Sequence, residues 1–410
     1  MPDTILVNVD ALAYGGDGIG RLPDGRVVFI PFTIPGELVR ATIVEEKARH
    51  ARGDLLEVLE GSPHRVQARC KHYGLCGGCH YQHMSYDRQL DAKVQILKEQ
   101  LVRLGGFKAI PEIEIVPAPE PWNYRNHIQF HLTHDGRLGY QKAGSNQAFA
   151  IQECHLPEAG INHLWPQIEI EPLAGLEQVS LRQGADDELM IVLESNIAEA
   201  LEFSIEDLAV SVVQVDPSGS LVLAGSDHIF MKVLGRQFRV SASSFFQVST
   251  LQAQAMVKLL LNQISMNESQ TILDVYSGVG LYSAFLAPRV RRLVGIEISP
   301  QACEDFTDNL DEFDHVELYE AGAEEVLGAV AFTPHVIVMD PPRTGLGVKV
   351  VEGVLAQEAK TLAYISCDPA TLARDAKQLA MGGYCLNKLT LIDMFPQTYH
   401  IESLSVWEKG

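Results

Sequence analysis

The first 60 residues alternate short hydrophobic runs with turn-forming residues. Runs rich in β-branched residues lie at 5–9, 26–30, 38–45 and 54–59, and glycine- or proline-containing turns separate them, including Y-G-G-D-G at 14–18. Short strands at this spacing predict a small closed barrel of the type that binds oligonucleotides. A generic β-barrel with another role fits the same pattern.

A helical pattern follows at 85–105. Ser85 can cap this segment and Gly105 ends it. Between them, apolar residues recur at spacings of three and four, which predicts one buried helix face; they are Leu90, Val94, Leu97, Leu101 and Leu104. Residues 111–240 then alternate short strand patterns and turns, which predicts a mixed, mainly β central domain.

The pattern changes again at about residue 245, where helical segments begin to alternate with apolar strands. The strand patterns lie at 271–276, 292–296, 335–339 and 362–366. Such alternation predicts a parallel sheet with helices on both faces, in which ligands bind at the carboxyl ends of the strands. We therefore divide the chain into domains at 1–61, 62–240 and 241–410, with the helix at 85–105 able to pack on the last of them.

The composition is globular, but the charge is unevenly distributed. The 410 residues are 46% hydrophobic and 21% charged, and no apolar run approaches the roughly 18 residues of a membrane span. The net charge is −21, yet residues 61–170 carry 11 basic and 10 acidic side chains and nine of the 14 histidines. Phosphate binding needs a local basic surface rather than a basic protein. We therefore expect nucleic-acid contacts in this segment.

The amino terminus lacks the basic stretch and apolar core of an export signal, so we expect a cytoplasmic location. In a reducing compartment the seven cysteines are thiols, metal ligands or nucleophiles rather than disulfides. Four of them are candidate ligands by spacing, since Cys70, Cys76 and Cys79 form C-x5-C-x2-C and Cys154 follows later. Four thiolates suit zinc or an iron–sulfur cluster, and the spacing alone leaves both open.

A glycine turn at the end of the first predicted parallel strand indicates a nucleotide-like cofactor. Asp274, Gly278 and Gly280 follow the pattern D-x-x-x-G-x-G, and Glu297 ends the next strand. A carboxylate in that place can accept hydrogen bonds from ribose hydroxyls. Because residue 283 is Ser, the dinucleotide pattern G-x-G-x-x-G is incomplete. The turn favours S-adenosylmethionine over a dinucleotide, and a purely structural turn is the third interpretation.

Two further strand ends and a hairpin carry reactive side chains. Asp340 begins a D-P-P-R turn similar to the Asp/Asn-Pro-Pro turn of methyltransferases that act on nitrogen, although a rigid loop without chemistry fits as well. Cys367 lies just past a buried strand, which favours an accessible nucleophilic thiol. Glu402 follows a proline turn and can return a carboxylate to the same cleft, but a lone Glu there is usually a solvated surface group.

Taken together, these motifs resemble the RNA 5-methyluridine methyltransferase family. The matching segments, in the family's order and spacing, lie at 244–247, 274–280, 340–343, 366–369 and 400–403. Residues 1–60 resemble the family's TRAM domain, so the similarity covers nearly the whole chain. The chain departs from the family at Ser277 and Asp368, where members often have Cys and Asn, and at Leu281, where the transfer-RNA branch has Asn.

The resemblance implies a Rossmann-like class I methyltransferase domain at the carboxyl end and a role for each candidate residue. Cys367 would add to C6 of uracil, and Glu402 would remove the C5 proton after methylation. Contacts with S-adenosylmethionine are implied at Gln247, Tyr276, Gly278, Gly280, Glu297 and Asp340. Arg125 lies in a segment that resembles one near the family's active cleft and is a candidate RNA contact; an internal ion pair is the alternative.

The resemblance also bears on the cysteines and the substrate. Cys70, Cys76, Cys79 and Cys154 match the ligands of a [4Fe-4S] cluster in the ribosomal-RNA branch, which also has the TRAM domain. This implies 5-methyluridine formation in 23S ribosomal RNA, with RNA as the partner, no membrane and no obligate protein partner. The transfer-RNA T loop is the alternative substrate. An N-methyltransferase would leave Cys367 idle, and a non-catalytic iron–sulfur RNA-binding protein would not need the cofactor motifs.

Overall fold

The computed structural model of the chain describes residues 4–170, 175–197, 199–201 and 209–410. Its amino-terminal part is a closed five-stranded barrel with the strand order β1-β2-β3-β5-β4 and a hydrophobic core of its own. The barrel that the hydrophobic pattern predicts is therefore confirmed. Its strands are β1 (Thr4–Leu12), β2 (Gly18–Arg21), β3 (Val27–Ile30), β4 (Leu38–Glu46) and β5 (His50–Glu60).

The segment after the barrel forms α1 (Tyr86–Arg103) and β6 (Ile113–Val116). The buried face of α1 consists of Gln89, Ala92, Lys93, Ile96, Leu97 and Leu101. Leu104, which the periodicity places on the apolar stripe, is 53% exposed because it lies just beyond the last helical residue. The buried face therefore contains two polar side chains that the pattern of leucines does not reveal.

The central part is a mixed, mainly antiparallel sheet. Within the described residues it has the order β13-β12-β11-β10-β7-β8-β9, and only the β11–β12 pair is parallel. The short helix α2 (Ala159–Leu164) packs against it in a separate hydrophobic core. The strands are β7 (His127–Leu132), β8 (Leu138–Gln141), β9 (Ala148–Ala150), β10 (Leu176–Gln183), β11 (Leu189–Ser195), β12 (Ser211–Asp216) and β13 (Gly219–Ala224).

A hairpin of β14 (His228–Val233) and β15 (Arg236–Ser241) precedes the helix α3 (Thr250–Gln263). Buried side chains of this hairpin, including Met231 and Phe238, share one core with α3 and with the carboxyl-terminal sheet. The sequence-based division at 240 therefore runs through a hairpin that packs on the carboxyl-terminal part.

The carboxyl-terminal part is an open sheet with the order β18-β17-β16-β19-β20-β22-β21-β6. Strands β16 to β20 are parallel to one another, and β22 is antiparallel to both of its neighbours, β20 and β21. Strand β6 is added in parallel to β21. The strands are β16 (Thr271–Val275), β17 (Arg292–Glu297), β18 (Val316–Glu320), β19 (Val336–Met339), β20 (Thr361–Ser366), β21 (Tyr384–Ile392) and β22 (Glu402–Lys409). The parallel sheet predicted from the alternating pattern is confirmed.

Helices cover both faces of this sheet. They are α4 (Ser283–Leu286), α5 (Pro300–Leu310), α6 (Ala323–Val326), α7 (Gly347–Ala356) and α8 (Pro369–Met381). Side chains of α3, α4 and α5 share a core with one face, and those of α1, α7 and α8 share a core with the other. Helix α1 packs against α8, and its buried Lys93 Nζ lies 2.6 Å from Oδ1 of the equally buried Asp393. Helix α1 and strand β6 thus belong physically to the carboxyl-terminal sheet.

Candidate active site

Three of the predicted cofactor-binding residues lie in one row at the carboxyl edge of the parallel strands. Strand β16 pairs in register with β17 on one side and β19 on the other. The residues that follow the last shared register pair are Tyr276, Glu297 and Asp340, so they stand at the same level of the sheet. This edge is where open parallel sheets bind ligands.

The two glycines in the turn after β16 differ in the space around them. Tyr276, Gly278 and Gly280 have positive φ angles of 66°, 52° and 87°, a region that glycine adopts without steric cost. A side chain at position 278 would enter open space, whereas one at 280 would come within 2.3 Å of Leu310 on α5. Gly278 thus leaves room beside the row, and Gly280 allows α5 to pack closely.

The Glu297 carboxylate is held by backbone amides. Its Oε2 accepts a hydrogen bond from Gly278 N at 2.9 Å, and Oε1 accepts from Ile298 N at 2.9 Å and Ser299 N at 2.8 Å. A carboxylate has about four acceptor positions, so Glu297 retains capacity for a further donor such as a hydroxyl. These bonds fix the carboxylate at the end of β17.

Gln247 reaches the row from the segment between β15 and α3. Its Nε2 donates to Asp340 Oδ2 at 3.3 Å. Asn126 Nδ2 donates in turn to the Gln247 carbonyl at 3.0 Å, and Asn126 N donates to Val248 O at 2.9 Å. The buried Asn126 is a positioning residue that sequence reasoning missed; the only signal was its place beside Arg125 in the segment that resembles the family.

Cys367 and Glu402 come together through strand pairing. Ser366 of β20 is the register partner of Ser403 of β22, and the two strands are antiparallel. Cys367 and Glu402 are the next residues of the two segments beyond this pair, and the charge of Glu402 acts on the Cys367 thiol. Opposite residues in such a pair lie about 5 Å apart at Cα and project from the same face. Glu402 is buried, with 3% exposure, and Cys367 is half-buried.

The carboxylates of the cleft repel one another and favour their protonated forms. Burial first, and then the charge of Asp274, raise the pKa of Asp340 to about 7. Burial and the Asp340 charge raise the pKa of Glu402 well above its usual range, while Arg343 opposes the shift. Burial, Glu402 and Asp340 raise the pKa of Cys367 to about 12. A positively charged ligand would reverse each of these shifts.

Several polar atoms in the cleft have no hydrogen-bond partner among the described residues although they are buried. They are Glu402 Oε1, Asp274 Oδ1 and Ser277 Oγ. The other carboxylate oxygen of Asp274 accepts from Ser283 Oγ at 2.6 Å. Because buried polar atoms are normally satisfied, these atoms are available to hydrogen-bond a polar ligand.

The four predicted metal-ligating cysteines line one cavity between the segment at 70–82 and the central sheet. Cys70, Cys76, Cys79 and Cys154 all reach its wall, and its volume is about 190 Å³. Across the described ranges, no three His, Cys, Asp or Glu side chains come close enough to hold a single metal ion. The cysteines therefore surround a space instead of converging on one point.

Arg125 also lines this cavity. Its side chain donates from Nε to Tyr124 Oη at 3.4 Å, and no carboxylate of the described residues lies within ion-pair distance. Its backbone is fixed by Leu156 O, which accepts from Arg125 N, and by Glu158 N, which donates to Arg125 O. The structure thus places the guanidinium on the cysteine cavity, without the internal ion pair that the sequence left open.

Two protein-family models match different parts of the chain. A family model described as "tRNA (Uracil-5-)-methyltransferase" matches residues 195–409. The TRAM domain model matches residues 3–56, which form the five-stranded barrel. The first match covers every strand of the carboxyl-terminal sheet except β6, and it includes Asp340, Cys367 and Glu402.

Full-length relatives carry the same kind of name. The chain is 34% identical to an uncharacterized RNA methyltransferase of Aquifex aeolicus, with 98% of each chain covered. It is 32% identical to another from Gloeobacter violaceus, covering 99% of this chain and 97% of the relative. Similarity therefore extends over all three parts of the molecule.

The overall fold matches that of a solved structure. The Pyrococcus abyssi tRNA (uracil-54, C5)-methyltransferase in complex with S-adenosyl-L-homocysteine superposes with a TM-score of 0.75, covering 98% of this chain and 100% of the other at 24% identity. The carboxyl-terminal part thus has a class I methyltransferase fold. Of the helices that the structure describes, none is both long and apolar enough to cross a membrane.

Proposed function

Because the chain belongs to the tRNA (Uracil-5-)-methyltransferase family, we propose that it uses S-adenosylmethionine to methylate C5 of uridine in RNA. The observation that supports this proposal is the pairing of Ser366 with Ser403, which leaves Cys367 and Glu402 next to each other's strand ends, with the Glu402 charge acting on the Cys367 thiol. Methylation at C5 requires a nucleophile for C6 and a base for the C5 proton in one cleft. A thiol and a neighbouring carboxylate can meet that requirement.

The row of Tyr276, Glu297 and Asp340 is the proposed cofactor site. When bound there, S-adenosylmethionine supplies an electrophilic methyl group on a positively charged sulfur. Glu297 would accept the ribose hydroxyls, Gly278 leaves space beside it, and Asp340 with Gln247 would face the charged part. Buried carboxylates with raised pKa values support this assignment, because they are stabilised by a cation.

The proposed reaction balances with one thiol and one base. Cys367 Sγ forms a bond to C6 of uracil, and the resulting negative charge is shared by C5 and O4. C5 then bonds to the methyl carbon as the methyl–sulfur bond breaks. Arg343 favours the ionised form of Glu402; in that form Glu402 takes the proton from C5, and the C6–Sγ bond breaks to return the thiolate.

The pKa values indicate when the nucleophile becomes reactive. In the cleft as it stands, burial and two carboxylates raise the pKa of Cys367 to about 12, so the thiol is protonated at neutral pH. Arg343 favours the thiolate, and a bound sulfonium adds positive charge to the same cleft. We therefore propose that cofactor binding activates Cys367.

The cysteine cavity is proposed to hold a [4Fe-4S] cluster. Four thiolates suit either a zinc ion or an iron–sulfur cluster, and the resemblance to the ribosomal-RNA branch favours the cluster. A cluster places its metals around a larger volume, consistent with one cavity lined by all four cysteines. Cys70, Cys76, Cys79 and Cys154 would bind it, and its chemistry would be structural because the methylation transfers no net electrons.

The proposed substrate is 23S ribosomal RNA, because the four cysteines and the TRAM barrel occur together, as in the ribosomal-RNA branch that the sequence resembles. Transfer RNA is the second candidate. The observation that favours it is the full-length fold match to a protein named as a tRNA (uracil-54, C5)-methyltransferase. The target base must leave its stack to reach Cys367, which favours a loop over a duplex in either RNA.

Nucleoside mass spectrometry of fragment-mapped RNA from cells with and without the gene tests the proposal. Loss of 5-methyluridine from a 23S fragment supports the ribosomal substrate. Loss confined to the transfer-RNA T loop keeps the reaction and replaces the substrate. Unchanged 5-methyluridine in both RNAs, together with no methyl transfer by the purified protein to either RNA, would overturn the activity.

A further inference from the structure

The amino-terminal barrel touches the loop that carries the proposed nucleophile. Tyr14, in the turn between β1 and β2, donates from its hydroxyl to Asp368 Oδ2 at 2.8 Å. Asp368 is the residue after Cys367, and 354 positions separate it from Tyr14. Burial and the Asp368 charge raise the pKa of Tyr14, so its hydroxyl remains a donor over the physiological range.

The Asp368 carboxylate is fixed from its other side as well. Its Oδ1 accepts from Ala370 N at 3.0 Å and from Thr371 N at 2.8 Å, which caps the start of α8. Ser366 Oγ donates to Asp368 O at 3.0 Å. Cys367 therefore sits between two residues that are tied to each other, and Tyr14 determines where the outer oxygen of Asp368 is held.

The same barrel turn also reaches the approach to the proposed base. The Tyr14 ring packs edge-on against Tyr399, with centroids 5.6 Å apart, and Tyr399 lies three residues before Glu402. A side chain on Gly16 would come within 3.2 Å of His80 Cβ and 3.7 Å of Tyr399 Cβ. The turn is therefore in close contact with the segment that leads into β22.

We infer that Tyr14 is a positioning residue for Cys367, acting through Asp368, and that it couples the barrel to the reacting thiol. This inference rests on the proposed role of Cys367. Tyr14 also lines a surface cavity of about 250 Å³ on the barrel, together with Phe29, His50 and Arg52. RNA bound at that surface would contact Tyr14, the residue that orients the loop carrying Cys367. Tyr14 would then take part both in RNA binding and in positioning the thiol.

The test uses the full-length protein and an RNA fragment carrying 5-fluorouridine at the target, which stops the reaction before the thiol can leave. Tyr14→Phe removes only the hydroxyl. We expect the rate of covalent adduct formation to fall by roughly 10-fold to 100-fold, since small displacements of a reacting group have effects of that order. The Kd values for RNA and S-adenosylmethionine should stay within about twofold of wild type, as expected when positioning rather than binding is lost.

Two further variants separate positioning from a general loss of stability. Tyr384→Phe removes a buried hydroxyl that donates to Ala359 O at 2.6 Å, at the end of β21 remote from the cleft, and should leave the adduct rate unchanged. Asp368→Asn retains an oxygen for the cap, and the double variant with Tyr14→Phe should lose no more than the slower single variant. Coupled pairs are non-additive in this way.

The outcomes distinguish this inference from the proposed function. If wild-type protein forms no adduct with either candidate RNA, the assignment of Cys367 fails. If wild type reacts but Tyr14→Phe reacts equally fast, or loses RNA affinity instead of rate, Tyr14 does not position the thiol. Multiplicative losses in the double variant would show that Tyr14 does not act through Asp368.

Discussion

Cys367 and Glu402 are the residues next to the Ser366–Ser403 pair that joins the ends of β20 and β22, and the charge of Glu402 contributes to the raised pKa of the Cys367 thiol. The antiparallel insertion of β22 beside the parallel strands is what brings them together. A parallel strand in that position would present its carboxyl end to the cleft, and Glu402, the first residue of β22, would lie at the opposite edge. The topology of the sheet thus builds the proposed catalytic pair.

Replacing Glu402 with Gln should trap the reaction after methyl transfer. The amide cannot accept the C5 proton, so elimination of Cys367 stops and the protein stays bonded to the C5-methylated RNA. Denaturing gels should show a protein–RNA adduct that contains one transferred methyl group. Cys367→Ala should give neither adduct nor product while keeping cofactor affinity. Turnover by Glu402→Gln at the wild-type rate would remove Glu402 from the role of base.

Binding of S-adenosylmethionine should depend on pH through Asp340. Its raised pKa of about 7 means that the carboxyl group is protonated below that pH and must lose the proton to face a cation. Affinity should therefore fall as pH drops below about 7, approaching tenfold per pH unit. Calorimetry in buffers of different ionisation enthalpy should show proton release on binding.

Two variants identify the carboxyl group that releases the proton on cofactor binding. Asp340→Asn should bind weakly, with an affinity that does not change with pH, whereas Glu402→Gln should retain the pH dependence. If proton release persists in Asp340→Asn and vanishes in Glu402→Gln, the titrating group is Glu402 instead.

The buried ion pair between Lys93 and Asp393 should be important for stability. Lys93→Met leaves the carboxylate buried without its cation, although Tyr86 Oη still donates to it at 2.8 Å. Removing one partner of a buried pair costs about 3–5 kcal/mol, which should lower Tm by roughly 10 °C. The exposed Lys98→Met on the same helix is the control, and adding Asp393→Asn to Lys93→Met should recover part of the loss. An unchanged Tm would contradict the assignment.

Arg125 should stabilise the proposed cluster electrostatically. A cluster held by four thiolates is negatively charged, and Arg125 is a cation on the cavity wall without a carboxylate partner in the described part of the chain. Arg125→Met should lower the reduction potential and speed loss of iron and of visible absorption in air, because the reduced form loses its neighbouring positive charge. Arg125→Lys should retain most of both properties. Equal reduction potentials and equal cluster lifetimes in air for Arg125→Met and wild type would show that Arg125 does not stabilise the cluster. Arg125 would then remain a candidate RNA contact.

Local patterns were sufficient for much of the fold. The runs of β-branched residues define the barrel, and the carboxyl-terminal alternation defines the parallel sheet, because each depends on neighbours in sequence. The same holds for the row of Tyr276, Glu297 and Asp340, since each residue follows its own apolar strand. The position of Cys367 just past a strand indicated an accessible thiol, but the resemblance to the family was needed to select Glu402, because its place beside Cys367 depends on the pairing of β22.

Contacts between distant segments could not be predicted in this way. Gln89 and Lys93 are polar positions on α1, and their burial makes sense only beside Gln397 and Asp393, about 300 residues later. Tyr14 was visible only as part of a turn, since nothing near it in sequence indicates Asp368. Likewise, spacing could not place Arg125 on the cysteine cavity. Each of these contacts was not predicted because the partner residue is distant in sequence and comes close only in the folded protein.

Strand β6 and helix α1 complete a sheet whose other strands are made much later. Ile113 of β6 pairs with Leu389 of β21. During synthesis β6 therefore cannot pair until nearly all of the remaining chain has been made. A fragment beginning at residue 241 would lack both, leaving the edge of β21 and the apolar side of α8 uncovered and prone to association. We therefore expect that the carboxyl-terminal part does not fold stably on its own. The cleft can form only after the last strands, β21 and β22, have been made.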